Sequence, residues 1–152
     1  MCEPRQVTRL DELPGRRCSI AGALDVVGDK WALLVVRDVA LGSHRFSDIL
    51  AGTGAPRERL SARLSALVEA GVLERRQYSD APPRSGYHLT AAGRDLVPVL
   101  QSLLQWGDRW VADTPPLELH HHGHPIDAGW VCRTCGEPTS GRGVTSIQTE
   151  KS

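Results

Sequence analysis

No apolar run in this sequence is longer than Trp31-Ala-Leu-Leu-Val-Val36. A bilayer-spanning helix needs about 20 such residues, so a membrane protein of the helical kind is not expected. The opening Met1-Cys-Glu-Pro-Arg-Gln6 has no apolar core of the kind a secretion signal needs, which points to the cytoplasm. A surplus of charge is also missing. Eighteen basic side chains meet eighteen acidic ones, which argues against a general polyanion binder and leaves room for a local basic surface. Lysine is nearly absent: Lys30 and Lys151 stand against sixteen arginines. Arginine forks suit phosphate and guanine edges, although an arginine excess with many Ala, Gly and Pro is also the mark of a GC-rich genome. Cysteine is sparse, at positions 2, 18, 132 and 135. In a cytoplasmic chain these thiols point to redox or metal chemistry rather than to structural disulfides.

What is present fills one compact domain with an appendage. Residues 1–17 are polar, end in Pro14-Gly-Arg-Arg17 and read as a loose arm. From Cys18, the residues Ile20, Ala23, Leu24 and Val27 recur at helical spacing up to Gly28. Asp29 is placed to cap a second helix through Trp31, Leu34, Val35 and Val39 to Leu41-Gly42, with Trp31 packed under its apolar stripe. Arg45-Phe-Ser-Asp-Ile-Leu50 forms a short third helix before Gly52-Thr-Gly54. Pro56 suits the first turn of a fourth, whose stripe is Leu60, Leu64, Leu67 and Val68 and whose end is Gly71. Val72–Tyr78 and Tyr87–Thr90 are two extended runs joined by the turn-rich Ser79–Gly86, a β-hairpin. Thr90 can cap a last long helix with Leu96, Leu100, Leu103, Leu104 and Val111 on its apolar face, kinked at Pro98 and broken by Pro115-Pro116. The expected division is therefore an arm at 1–17, a folded domain at 18–113, and a His/Cys-containing tail at 114–152 with a disordered end.

Helix, helix, short helix, longer helix, hairpin, helix is the order of a winged helix-turn-helix: mainly α, with a small β-hairpin as the wing. The fourth helix carries Arg57, Glu58, Arg59, Ser61, Ala62 and Arg63 opposite its leucines, which is what a groove-entering helix needs. Between Arg57 and Tyr87 stand six arginines and four acids, a local surplus of two positive charges. A solvated Arg/Glu face would carry the same pattern.

The ordered set Cys18–Asp38, Arg45–Leu50, Leu60–Leu67, Ala70–Leu73, Tyr78 with Pro82-Pro-Arg84, Tyr87–Gly93, and Pro98-Val-Leu100 with Trp106-Gly107 resembles the HxlR-type, MarR-like bacterial transcriptional regulators, over about residues 18–110. The resemblance implies a homodimer on double-stranded DNA at a pseudo-palindromic operator, acting in bacteria as a repressor or activator. It assigns DNA contacts to Ser43, His44 and Arg45 before the third helix, to Pro56, Arg57, Arg59, Ser61 and Arg63 on the fourth, and to Arg75, Arg76, Arg84 and Ser85 on the wing. Ala55 and Pro56 depart from the small polar residue usual in that family. Two recognition helices of a dimer must lie about 34 Å apart to read successive major grooves. The first and last helices supply the apolar surface available for pairing, although Leu100, Leu103, Leu104 and Trp106 could be intramolecular core instead, and some of each is expected. Cys18, at a helix start behind Arg16-Arg17, stands where related regulators carry a redox or electrophile sensor; a buried interface cysteine is the plainer alternative. A small-molecule or electrophile inducer is thereby implied.

The tail carries Cys132-Arg-Thr-Cys135-Gly136, a knuckle of the kind that offers two thiolates to zinc. His120-His-His122-Gly-His124 lies upstream, so His120 and His122 (or His122 and His124) would complete a structural Cys₂His₂ site in a zinc-ribbon-like tail. A tail poor in apolar residues could draw folding energy from the metal. A flexible His-rich segment without metal has the same composition. Two other classes stay in view. A thiol oxidoreductase using Cys132 and Cys135 lacks the βαβ pattern before its motif. A winged-helix protein–protein adaptor draws support from neutral net charge, and would gain if the helix-four arginines were buried or paired with acids. A zinc deaminase is excluded, because neither His-x-Glu nor Pro-Cys-x-x-Cys is present.

Overall fold

The computed structural model describes residues 12–16, 18–139 and 143–147. Cys2, Arg17 and most of the arm and of the extreme tail lie outside them. Within the described residues the chain forms α1 (Ser19–Val27), α2 (Lys30–Ala40), α3 (Phe46–Thr53), α4 (Arg57–Glu69), β1 (Leu73–Asp80), β2 (Pro83–Leu89), α5 (Ala91–Asp95), α6 (Val97–Trp110), β3 (His120–His121) and β4 (His124–Pro125). Two compact units result, 1–100 and 101–152.

The first unit is built around α2. Asp29 caps it, accepting from Trp31 N at 2.9 Å. Its Val-rich middle has mediocre helix propensity. Burial overrides this, because Ala32, Val35, Val36 and Val39 are almost wholly covered by α3, α4 and their neighbours. Trp31 packs against this core as the periodicity suggests. The α4 leucines Leu60, Leu64 and Leu67 close it from the other side. Each leucine so buried contributes about 1.5–3 kcal/mol relative to exposure.

Between α2 and α3 sits a contact that periodicity does not reveal. Asp38 is only 5% exposed, and its Oδ1 accepts from Arg37 Nε at 2.9 Å. Arg37 Nη2 reaches on to the carbonyl of Gly52 in α3 at 2.8 Å. A Cβ on Gly52 would lie 2.0 Å from Asp38 Oδ2, so glycine is what lets α3 approach the carboxylate. Gly54 then ends α3 in the left-handed region at φ +66, with its N–H on Leu50 O.

Two expectations change. β1 is about as long as the run 72–78, but β2 has 7 residues and begins four positions before the run 87–90. Leu73 pairs with Leu89 and Asp80 with Pro83, so Ser79–Gly86 is mostly strand and only Ala81-Pro82 turns. Most of β1 is exposed and most of β2 only half-buried, so no period-two apolar signal marks them. The last helix is two helices, interrupted at Leu96, rather than one helix kinked at Pro98. Pro98 falls in the first turn of α6, where its missing N–H has no intrahelical partner to lose. Thr90 does cap α5, accepting from Gly93 N at 3.2 Å, while its hydroxyl also points to Gly71 O and Val72 O. The apolar face of the last helix is divided: Leu96 and Leu100 pack on the core, whereas Leu103 and Val111 are 50% and 70% exposed.

In the second unit the tail forms two small hairpins. β3 and β4 pair through a His122-Gly123 turn with positive φ at both residues, and Ile126 N donates to Leu119 O at 2.8 Å. Val131 bridges Pro138 around the cysteine knuckle. No helix among the described residues is long and apolar enough to cross a membrane.

Candidate nucleic-acid interface

The buried leucines of α4 determine which of its side chains face outward. With Leu60, Leu64 and Leu67 inward, Arg57, Glu58, Arg59, Ser61 and Ala62 are exposed and Arg63 is half-buried. Pro56 is exposed at the N-cap, where it provides no side-chain cap for the first turn. The cap residue Asp29 stands near Arg63, 3.9 Å from its Nε. Arg57 lies over the Phe46 ring, 5.1 Å from its centroid, which steadies the guanidinium without neutralising it.

The wing adds a second basic row. Arg75 is 5.6 Å from the Tyr87 ring centroid, and Arg76 bonds Glu74 Oε1 through Nε at 2.7 Å. Arg84 pairs with Ser79 near the tip, and Ser85 pairs with Gln77. Arg59 and Arg84 are exposed and have no hydrogen-bond or ion-pair partner among the described residues. Arg45, the N-cap of α3, lies 5.5 Å from the ring centroid of Tyr78 on β1. Ser43 is half-buried, with its backbone N–H on Asp38 O at 2.9 Å.

His44, expected as a DNA contact, also ties down the wing root. Tyr87 N donates to His44 O at 2.8 Å, and His44 Nδ1 donates to Tyr87 O at 2.8 Å. The carbonyl can only accept, so the hydrogen sits on Nδ1. His88 stacks on His44 with centroids 4.1 Å apart. Burial, then His44, then Arg76 push the His88 imidazole below its ordinary pKa, against a smaller opposing pull from Glu74. His88 went unremarked because an isolated histidine on a strand carries no signal of its own.

The cysteines stand apart from this surface in kind. Cys18 is the half-buried N-cap of α1, and the described cysteines are free thiols. In the knuckle, backbone N–H groups of Cys135 and then Thr134 point at the Cys132 sulfur and hold its pKa below the ordinary thiol value. The expected partners do not arrive. His120 pairs with Glu118 at 2.5 Å, and His122 occupies the hairpin turn at φ +50. Among the described residues no three His, Cys, Asp or Glu side chains are grouped to hold a metal ion. Two thiolates alone do not make the tetrahedral set that structural zinc takes, so His120, His122, Cys132 and Cys135 as arranged do not fit it.

A helix pair with one exposed basic face, flanked by a two-stranded wing, defines a winged helix-turn-helix. The HxlR-like helix-turn-helix family model matches residues 26–115, and the chain belongs to that family. It is 42% identical over 131 residues to Rv3095 of Mycobacterium tuberculosis (strain ATCC 25618 / H37Rv), which is described as an HTH-type transcriptional regulator; the match covers 84% of this chain and 83% of the relative. Among solved structures, PA1607, a candidate transcription factor, is 31% identical and superposes with a TM-score of 0.78 over 87% of this chain and 95% of its own. The redox regulator HypR in its oxidised form is 29% identical with a TM-score of 0.56, over 60% of this chain and 96% of its own.

Proposed function

We propose that the protein is a transcriptional regulator that binds a pseudo-palindromic DNA operator as a homodimer and represses by occupying it. The observation that carries this is the α4 face, where Arg57 and Arg59 stand exposed opposite buried leucines, beside a wing that ends in exposed Arg84. Arg57 and Arg59 have no acidic partner among the described residues, which weighs against the adaptor reading. Family membership and the names of the relatives agree with the DNA reading.

Pairing is supported by apolar surface left uncovered in the single chain. On α1, Ile20 and Leu24 are 68% and 57% exposed. On α6, Leu103, Trp106 and Trp110 recur at spacings of three and four and are at least half exposed. Cys18 at the start of α1 is the thiol through which an oxidant or electrophile would modulate binding, a reading supported by likeness to HypR.

The test is selection of duplexes from a random pool by the purified chain, with and without a thiol oxidant, followed by mobility shift. A two-fold symmetric site bound with steep salt dependence is the expected result. No retardation of any duplex at low salt would overturn the reading.

A further inference from the structure

The wing reaches the helix-turn-helix through a compact joint. His44 is the residue before the N-cap of α3, and it exchanges two 2.8 Å hydrogen bonds with Tyr87 of β2. Its ring is stacked on His88, 4.1 Å away and 21° from parallel. Gly86 makes the approach possible: a Cβ there would lie 3.3 Å from His44 O and 3.4 Å from His44 Cβ. The next residue, Arg45, lies over Tyr78 on the opposite strand of the wing. Both strands are thus tied to the few residues that open α3.

A free two-stranded hairpin is marginal in water and would swing about its root. An arginine at the tip of a swinging wing loses ordering entropy whenever it meets a phosphate, which weakens the contact. We infer that His88 is a positioning residue for DNA binding: stacked on His44, it locks the wing root to the start of α3 and so sets where Arg84 stands relative to the recognition helix α4. The inference rests on the DNA-binding reading above and gives His44 a role besides any phosphate contact of its own.

The experiment uses the full chain and duplexes that the wild type enriches from a random pool, with affinity measured across a salt series. His88→Ala and His88→Gln remove the ring, His88→Phe keeps a stacking ring, and Arg84→Ala removes the wing charge. Both ringless variants are expected to bind about tenfold more weakly, with a slope of log affinity against log salt shallower by about one, as Arg84→Ala should also show. Adding Arg84→Ala to His88→Ala should cost little more, since both act through one contact. His88→Phe should keep wild-type affinity and slope. Loss of folded protein alone lowers the active fraction without changing the slope, so the slope separates positioning from stability. A wild-type slope in the ringless variants, or His88→Phe as weak as His88→Ala, overturns the inference while the regulator reading stands. A wild type that enriches no duplex overturns both.

Discussion

α4 and α6 share a leucine spacing and a similar length, yet they differ in what covers them. Each is a helix of about four turns with leucines at intervals of three and four. α4 buries Leu60, Leu64 and Leu67, whereas α6 has no buried residue and leaves Leu103, Trp106 and Trp110 open. An apolar stripe therefore records that a helix face must be covered, without saying by what. In α4 the cover is the chain's own α2. For α6 the proposed cover is a second copy of the chain.

The contrast can be broken first at its buried end. Leu64→Ala should lower unfolding free energy by about 2–5 kcal/mol, read by denaturant melts, because a cavity opens in a closed core. Leu103→Ala should leave the melt of dilute protein within about 0.5 kcal/mol of wild type. Equal losses in the two variants would mean that α6 is as much core as α4. Next in size is Gly52→Ala, whose new methyl meets Asp38 Oδ2. Overpacking of this kind costs about 1–3 kcal/mol, with the wing and α4 face otherwise unaltered. Retained stability would show that α3 can move off the carboxylate at no cost.

Trp106→Glu sharpens the comparison from the open side. Placing a charge on the exposed stripe should shift sedimentation from dimer toward monomer while helix content stays near wild type. An unchanged dimer would remove α6 from the interface. The smallest expected effect is a pH dependence at the wing root. The folded state holds His88 below its ordinary pKa, so the unfolded chain takes up the proton first as pH falls. His88 therefore contributes stability above the unfolded pKa of about 6.5, and that contribution is lost as pH falls through the lower folded value. The thermal midpoint of His88→Phe should decline less than that of wild type between about pH 7 and pH 5; parallel declines would assign the effect to other groups.

Much of the fold was legible because it depends on local chemistry. Asp29 and Thr90 cap helices with their own side chains, and Gly54 takes the left-handed turn. The second strand of the wing was read too short, since Pro83-Arg-Ser-Gly86 carries no apolar alternation. The exposed basic face of α4 was legible too, because the leucine period of the helix dictates the opposite side. What escaped was partnership over long separations. Nothing near Asp38 announces Gly52, and nothing near His44 announces His88. The zinc ligands were grouped by spacing, but spacing does not bring His120 and His122 to the knuckle.

By itself the sequence determined the order of the elements from α1 to the wing, the caps at Asp29 and Thr90 and the basic face of α4, because each follows from side chains within one or two helical turns. It also placed the chain within its family through an ordered series of motifs. Only the tertiary structure decided which apolar stripes are covered, which arginines are already engaged, and how the wing is held. Those outcomes depend on contacts between residues tens of positions apart, and a contact of that kind has no local signature.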